Sequence, residues 1–239
     1  RCLQISGNPR VAELLEDIER RRLFASMLDG EELTLRLHDL FRDFLEERLR
    51  QLHPEEIPAL LRRAAQGETD PERRTLMYLR AGAWDEAQQS LAEATADMLT
   101  GDDGAQVIRI VEQFPSDIQA NSPLLAYVRG WCAWPRYKFS ELRSNMEHAA
   151  AGFEALGRYD DAQRARAMQA LATFFCGNME EARSLSQAVR ASPMNLETET
   201  LSELLDFWYE GYHGPIDGPS RRLARVVDLL EQGGSAELW

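Results

Sequence analysis

The chain has 239 residues, 44% hydrophobic and 28% charged, which suits a globular protein of one or two domains with a core of its own. No apolar run approaches the ~20 residues of a membrane helix, nothing reads as a secretory leader, and the sequence reads as a piece of something longer. A net charge of −13, with Lys138 the single lysine, excludes a surface that displaces counterions from DNA or RNA.

Along the chain, helical periodicity dominates, broken by short Gly and Pro punctuation. Asn8-Pro9, Asp70-Pro71 and Ser122-Pro123 each place a capping side chain before a proline. The side-chain oxygen accepts from an unpaired amide, and proline at the first helical position lacks only an N–H that had no partner. Helices are therefore expected to start near 9, 71 and 123. Leu23 to Leu28 and Leu33 to Leu37 are short and partly alternating, with Asp29-Gly30 between them as a tight-turn pair. Helix (about 9–22), hairpin, helix (about 39–52) is the pattern that ends a winged-helix domain.

From there the spacing predicts helices over about 58–65, 71–81, 84–98, 104–113, 123–134, 139–155, 159–175, 179–191, 197–212 and 219–232. Their short connections favour antiparallel neighbours. The expected fold is mainly α. A tetratricopeptide-like helical-repeat superhelix over 57–239 follows the C-terminal part of a winged-helix domain over 1–56, which carries one small β-hairpin.

The repeat signal is a glycine, then an acidic pair, then an alanine. It occurs from Gly82 to Ala87, from Gly157 to Ala162 and from Gly177 to Ala182. The glycine ends one helix where a left-handed residue is needed. The acids sit in the first turn of the next helix, where its dipole favours them. The alanine lets two helices approach closely. Such arrays contact mainly their neighbours and present binding surfaces.

Signs of catalysis are lacking. There is no phosphate-binding glycine loop, no dinucleotide fingerprint and no nucleophile elbow. His38, His53, His148 and His213 are scattered, so a metal site would need distant segments and no metal is expected. Cys2, Cys132 and Cys176 are odd in number and far apart, which suits reduced thiols of a cytoplasmic protein.

Two aromatic stretches remain as candidates for a ligand or partner groove. One holds Tyr127, Arg129, Trp131, Trp134, Arg136 and Tyr137; the other holds Phe207, Trp208, Tyr209 and Tyr212. Broad apolar faces with polar tips, next to guanidinium groups, are the parts of such a groove. The competing reading is that these rings fill the helical core. His38 is a further candidate, because an imidazole at a helix start can donate to a phosphate.

Several stretches together resemble one family. They are Leu23-Phe24 through Leu28-Asp29, Arg36 to Leu45, Ile57 to Ala65, Ala81 to Ala87, and Val111 to Pro115 with Ser122-Pro123-Leu124. They are similar to the large ATP-dependent LuxR-type transcriptional regulators typified by the maltose activator MalT, of the STAND class of signal-transduction ATPases. The match covers roughly residues 1–135. The resemblance implies a nucleotide-binding domain before this segment and a helix-turn-helix after it, with ATP or ADP bound by the parent protein and no cofactor here. The Leu37-His38-Asp39 segment resembles the Met-His-Asp motif of related STAND proteins, which implies a nucleotide-sensing role toward the ADP β-phosphate for His38. Leu37 replaces the methionine.

The expected function is therefore the sensor part of a cytoplasmic transcription regulator. It binds a small-molecule inducer or a regulatory protein, the parent protein self-associates, and this part neither contacts nucleic acid or membrane nor acts as an enzyme. A stand-alone repeat scaffold and an enzyme built on the aromatic and basic cluster are the alternatives.

Overall fold

The computed structural model describes residues 5–21, 25–28, 34–99, 104–213 and 218–233. The chain divides into two compact units, Arg1–Ala87 and Gln88–Trp239. The first holds α1 (Val11–Arg20), β1 (Ala25–Leu28), β2 (Thr34–Leu37), α2 (Asp39–Leu52), α3 (Ile57–Gln66) and α4 (Pro71–Arg80). The strands pair antiparallel, with Ala25 opposite Leu37 and Leu28 opposite Thr34. The hairpin expected from the alternating pattern is present, and its Asp29-Gly30 turn lies outside the described residues.

The proline-and-cap signals hold locally. Asn8 Oδ1 accepts from the Arg10 amide at 3.0 Å, and Asp70 Oδ1 accepts from the Arg73 amide at 3.0 Å. In the second unit Ser122 Oγ accepts from the Leu125 amide at 3.1 Å. The division between the units falls within α5 (Trp84–Leu99).

The second unit continues with α6 (Ala105–Val111), α7 (Ser116–Asn121), α8 (Pro123–Ala133), α9 (Phe139–Ala155), α10 (Tyr159–Phe175), α11 (Met179–Arg190), α12 (Leu196–His213) and α13 (Gly218–Glu231). The six-residue α7 was not expected, since it is too short to display a period. The fold is mainly helical and repeat-like.

One corner recurs. At Gly82, Gly157 and Gly177 the backbone is left-handed, with φ of 64°, 72° and 88°. Each corner closes two hydrogen bonds onto the helix it ends. At the Gly157 corner the Arg158 amide donates to the Phe153 carbonyl at 2.9 Å and the Gly157 amide to the Glu154 carbonyl at 3.0 Å. A fourth copy has no glycine. Tyr137 takes φ 54°, and Lys138 donates to the Ala133 carbonyl at 3.1 Å. The corner is thus spaced by 20 residues at 137, 157 and 177. The fifth residue after each is buried: Ala87, Leu142, Ala162 and Ala182.

The core of the second unit centres on α10, which packs against α9, α11 and α12. Every residue from Ala167 to Phe174 is buried. The helices α8, α10 and α12 run in the same sense. Near their N-terminal ends, Arg164 of α10 stacks over Tyr127 of α8 and pairs with Glu197 of α12. Near their C-terminal ends, Phe175 of α10 touches both Trp134 and Trp208. Burial alone lowers the Arg164 pKa, but Tyr127, Glu197 and Asp161 outweigh it and raise it, so this guanidinium is firmly charged.

The crossing of α8 and α9 depends on a close approach. A Cβ on Gly152 would lie 2.7 Å from Pro123 Cβ, whereas at Gly177 it would meet nothing within 4 Å. Two variants therefore separate sterics from backbone strain. Gly177→Ala is expected to cost about 1 kcal/mol, from its positive φ alone. Gly152→Ala is expected to cost about 1–3 kcal/mol, since Pro123 is stiff and the helices must separate. Urea denaturation of the two variants measures both.

Candidate functional site

The site is built by three helix ends and one helix start. Trp134 caps α8, Phe139 opens α9, Phe174 and Phe175 end α10, and Trp208 and Tyr212 lie near the end of α12. Because α8, α10 and α12 run in the same sense, these rings meet along one edge. Phe139 and Phe175 stack, with centroids 4.5 Å apart and planes 16° apart. Trp134 stands edge-on to both at 6.0 Å. Trp208 is edge-on to Phe175 at 5.3 Å, and Tyr212 to Phe174 at 5.7 Å. Tyr137 approaches Phe139 at 6.1 Å. Offset-stacked and edge-to-face pairs such as these hold rings in fixed orientations.

The rim of the edge is open. Tyr137 is 79% exposed, Tyr212 66% and Trp208 37%. The two aromatic stretches singled out in the sequence, some seventy residues apart, are thus brought together by Phe139, Phe174 and Phe175. Those three rings were not expected. A signal exists for Phe174 alone, which stands three residues before the Gly177 corner as Trp134 stands three before the Tyr137 corner.

Not every candidate reaches this edge. Tyr127 and Trp131 stand in the core, 8% and 1% exposed, edge-on to each other at 6.2 Å. For these two the structure favours the core reading, because residues 127 and 131 share the α8 face that packs on α9. Arg129 donates from Nη1 to the Gln119 carbonyl at 2.9 Å and from Nη2 to Gln119 Oε1 at 2.7 Å, tying α8 to α7. Arg136 is exposed and donates from Nε to the Cys132 carbonyl at 3.0 Å. Phe207 stands edge-on to Trp208 at 5.4 Å. Tyr209 faces elsewhere and lines a cleft between α11 and α12.

In the first unit His38 is exposed and precedes α2, with no side-chain capping bond. Leu40, Phe41 and Phe44 surround a shallow pocket beside it. The ligand atoms of His53, Glu55 and Glu56 lie within 4.8 Å of one another, all exposed. A three-group cluster therefore arises from adjacent residues, not from distant segments as expected. Cys132 is buried, and burial pushes its thiol pKa up to about 12 despite Arg136, which leaves it an inert core residue.

The geometry defines a helical-repeat array with an open aromatic edge, in a chain that also carries a short hairpin between helices. Residues 1–57 match the family model of the MalT winged helix domain. Over 199 residues, 80% of this chain, it is 25% identical to the HTH-type transcriptional regulator MalT of Yersinia pestis strain Pestoides F. The figures are the same for that regulator in Yersinia pseudotuberculosis serotype O:1b and Yersinia enterocolitica serotype O:8. The chain spans 22% of the length of these relatives. No solved structure matches it. The chain is MalT-like over the matched residues. Among the described residues, no helix is long and apolar enough to cross a membrane.

The edge has a structural centre and an expendable rim. Phe175→Ala is expected to cost about 2–3 kcal/mol, somewhat below a fully buried ring. Tyr212→Ala is expected to stay within about 0.5 kcal/mol of the parent. Equal losses in urea denaturation would contradict this division.

Proposed function

We propose that this chain is the sensing part of a LuxR-type, STAND-class transcription regulator of the MalT kind. Residues 1–56 are then the C-terminal part of a winged helix, and 57–239 are the sensor. A small-molecule inducer or a regulatory protein docks on the aromatic edge. Nucleotide, DNA and self-association belong to other parts of a longer cytoplasmic protein, and this segment performs no catalysis. The inducer acts by binding the active form more tightly than the resting form, and a few-kcal/mol difference suffices to move such an equilibrium.

The observation that carries this reading is the convergence of two remote aromatic stretches on one open edge. Solvent-exposed Trp and Tyr on a rigid helical frame offer a preformed apolar platform, so little ordering opposes binding. His38 supports the nucleotide link, since an exposed imidazole at a helix start is placed to donate to a phosphate.

The test uses the full-length regulator driving a transcriptional reporter in its own host. Substituting Trp208→Ala and Tyr212→Ala together is expected to lower the induced signal at least tenfold, with unchanged protein level and DNA binding. Undiminished induction in that variant would remove the edge from the sensing role.

A further inference from the structure

The helices α11 and α12 both pack on α10, and α12 also packs on α13. Between α11 and α12 they leave a cleft of about 260 Å³. Its α11 wall is one helical face, formed by Arg183, Ser186, Gln187 and Arg190. The facing wall presents Asp206, Tyr209 and Glu210 from α12, with Arg222 of α13 behind them. Ala182 and Leu205, both buried, add an apolar floor.

The charges in this cleft are distributed unevenly. Arg190 lies 2.8 Å from Asp206 and 3.5 Å from Glu203. Arg222 lies 2.6 Å from Glu203, 2.9 Å from Glu210 and 3.6 Å from Asp206. Two guanidiniums thus serve three carboxylates. Burial raises the Asp206 pKa in spite of Arg190 and Arg222, so its carboxylate gains from an added cation. Arg183 has the opposite need. It stacks over the Tyr209 ring at 5.6 Å and has no carboxylate in salt-bridge range among the described residues.

We propose that this cleft binds a small zwitterion of the amino-acid class. Its carboxylate takes the fork of Arg183, which the Tyr209 ring holds flat. Its ammonium lies toward Asp206 and Glu210. The buried Ser186 hydroxyl and the Gln187 amide supply neutral hydrogen bonds, and Leu205 and Ala182 receive the carbon skeleton. Together with Glu203, which stands outside the lining but pairs with Arg190 and Arg222, the three guanidiniums and three carboxylates make the cluster neutral, so a ligand without net charge enters and leaves it neutral. A simple anion strengthens Arg183 but repels the acidic wall, and a simple cation does the reverse.

This site is separate from the aromatic edge and does not depend on it. The test is isothermal titration of the 239-residue chain in a buffer free of amines and carboxylates. The titrants are the standard amino acids one at a time, with acetate, methylammonium and inorganic phosphate as controls. At least one amino acid is expected to bind with a Kd of about 1 mM or tighter. Acetate and methylammonium are expected to bind at least tenfold more weakly. Arg183→Gln, at an exposed position, is expected to weaken the amino acid at least tenfold without moving Tm. Arg183→Lys, which keeps the charge but not the fork, is expected to fall between. Absence of any amino-acid binding, equal binding of acetate or phosphate, or undiminished binding to Arg183→Gln would each overturn the proposal.

Discussion

The second unit depends on a helix that is buried on every side. An amphipathic surface helix shows one apolar stripe, but α10 is buried at eight consecutive positions, Ala167 to Phe174. It can be so because its side chains alternate between small and large. Ala165, Ala167, Ala170 and Ala172 let neighbouring helices close in, while Met168, Leu171 and Phe174 fill the space between. The two polar residues of that run sit in the same helix register, and Thr173 Oγ1 donates to the Gln169 carbonyl at 2.7 Å, so the hydroxyl enters the core satisfied. With α10 enclosed by α9, α11 and α12, the positions of all four helices follow from its surface.

The corners then determine which parts of those helices reach the outside together. Each left-handed residue satisfies the last carbonyls of one helix and starts the next in the opposite sense. Successive corners 20 residues apart therefore alternate between the two ends of the stack, and those at 137 and 177 fall at the same end. Tyr137 takes the left-handed conformation at a cost of about 1–2 kcal/mol relative to glycine. The corner is kept because its two hydrogen bonds and the burial of Leu142 outweigh that cost. An aromatic ring is thereby placed at the edge where glycine would leave a gap.

Most of the helical fold was legible because its signals are local. Caps before prolines, glycines at helix ends and a 3.6-residue period act over four to seven residues, and the predicted starts at 71 and 123 coincide with α4 and α8. The Tyr137 corner was hidden because only the surrounding structure makes tyrosine adopt a glycine conformation. The candidate site was legible in part. Trp134, Tyr137, Trp208 and Tyr212 reach the edge, but whether a ring is covered or open depends on helix rotation and on how near the helix end it stands. Residues 127, 131 and 134 follow one α8 face at helical spacing; Tyr127 and Trp131 are covered along it, whereas Trp134 stands at the helix end and is only partly buried. Phe139 and Phe175 became visible only through a stacking between helices, which no local pattern encodes.

Helix α12 ties the edge and the cleft together. Adjacent residues on a helix point about 100° apart, so Trp208 joins the aromatic edge while Tyr209 lines the cleft. The edge is held by ring contacts of fixed orientation, and the cleft is bridged by charged groups at short distances. A shift of α12 against α10 would disturb both surfaces, the Phe175–Trp208 contact at the first and the Arg190–Asp206 pair at the second. A packed core has discrete arrangements and does not deform continuously, so such a shift would be a step. Ligands at the two surfaces would then bias one equilibrium in common, each by the difference in its affinity for the two positions of α12.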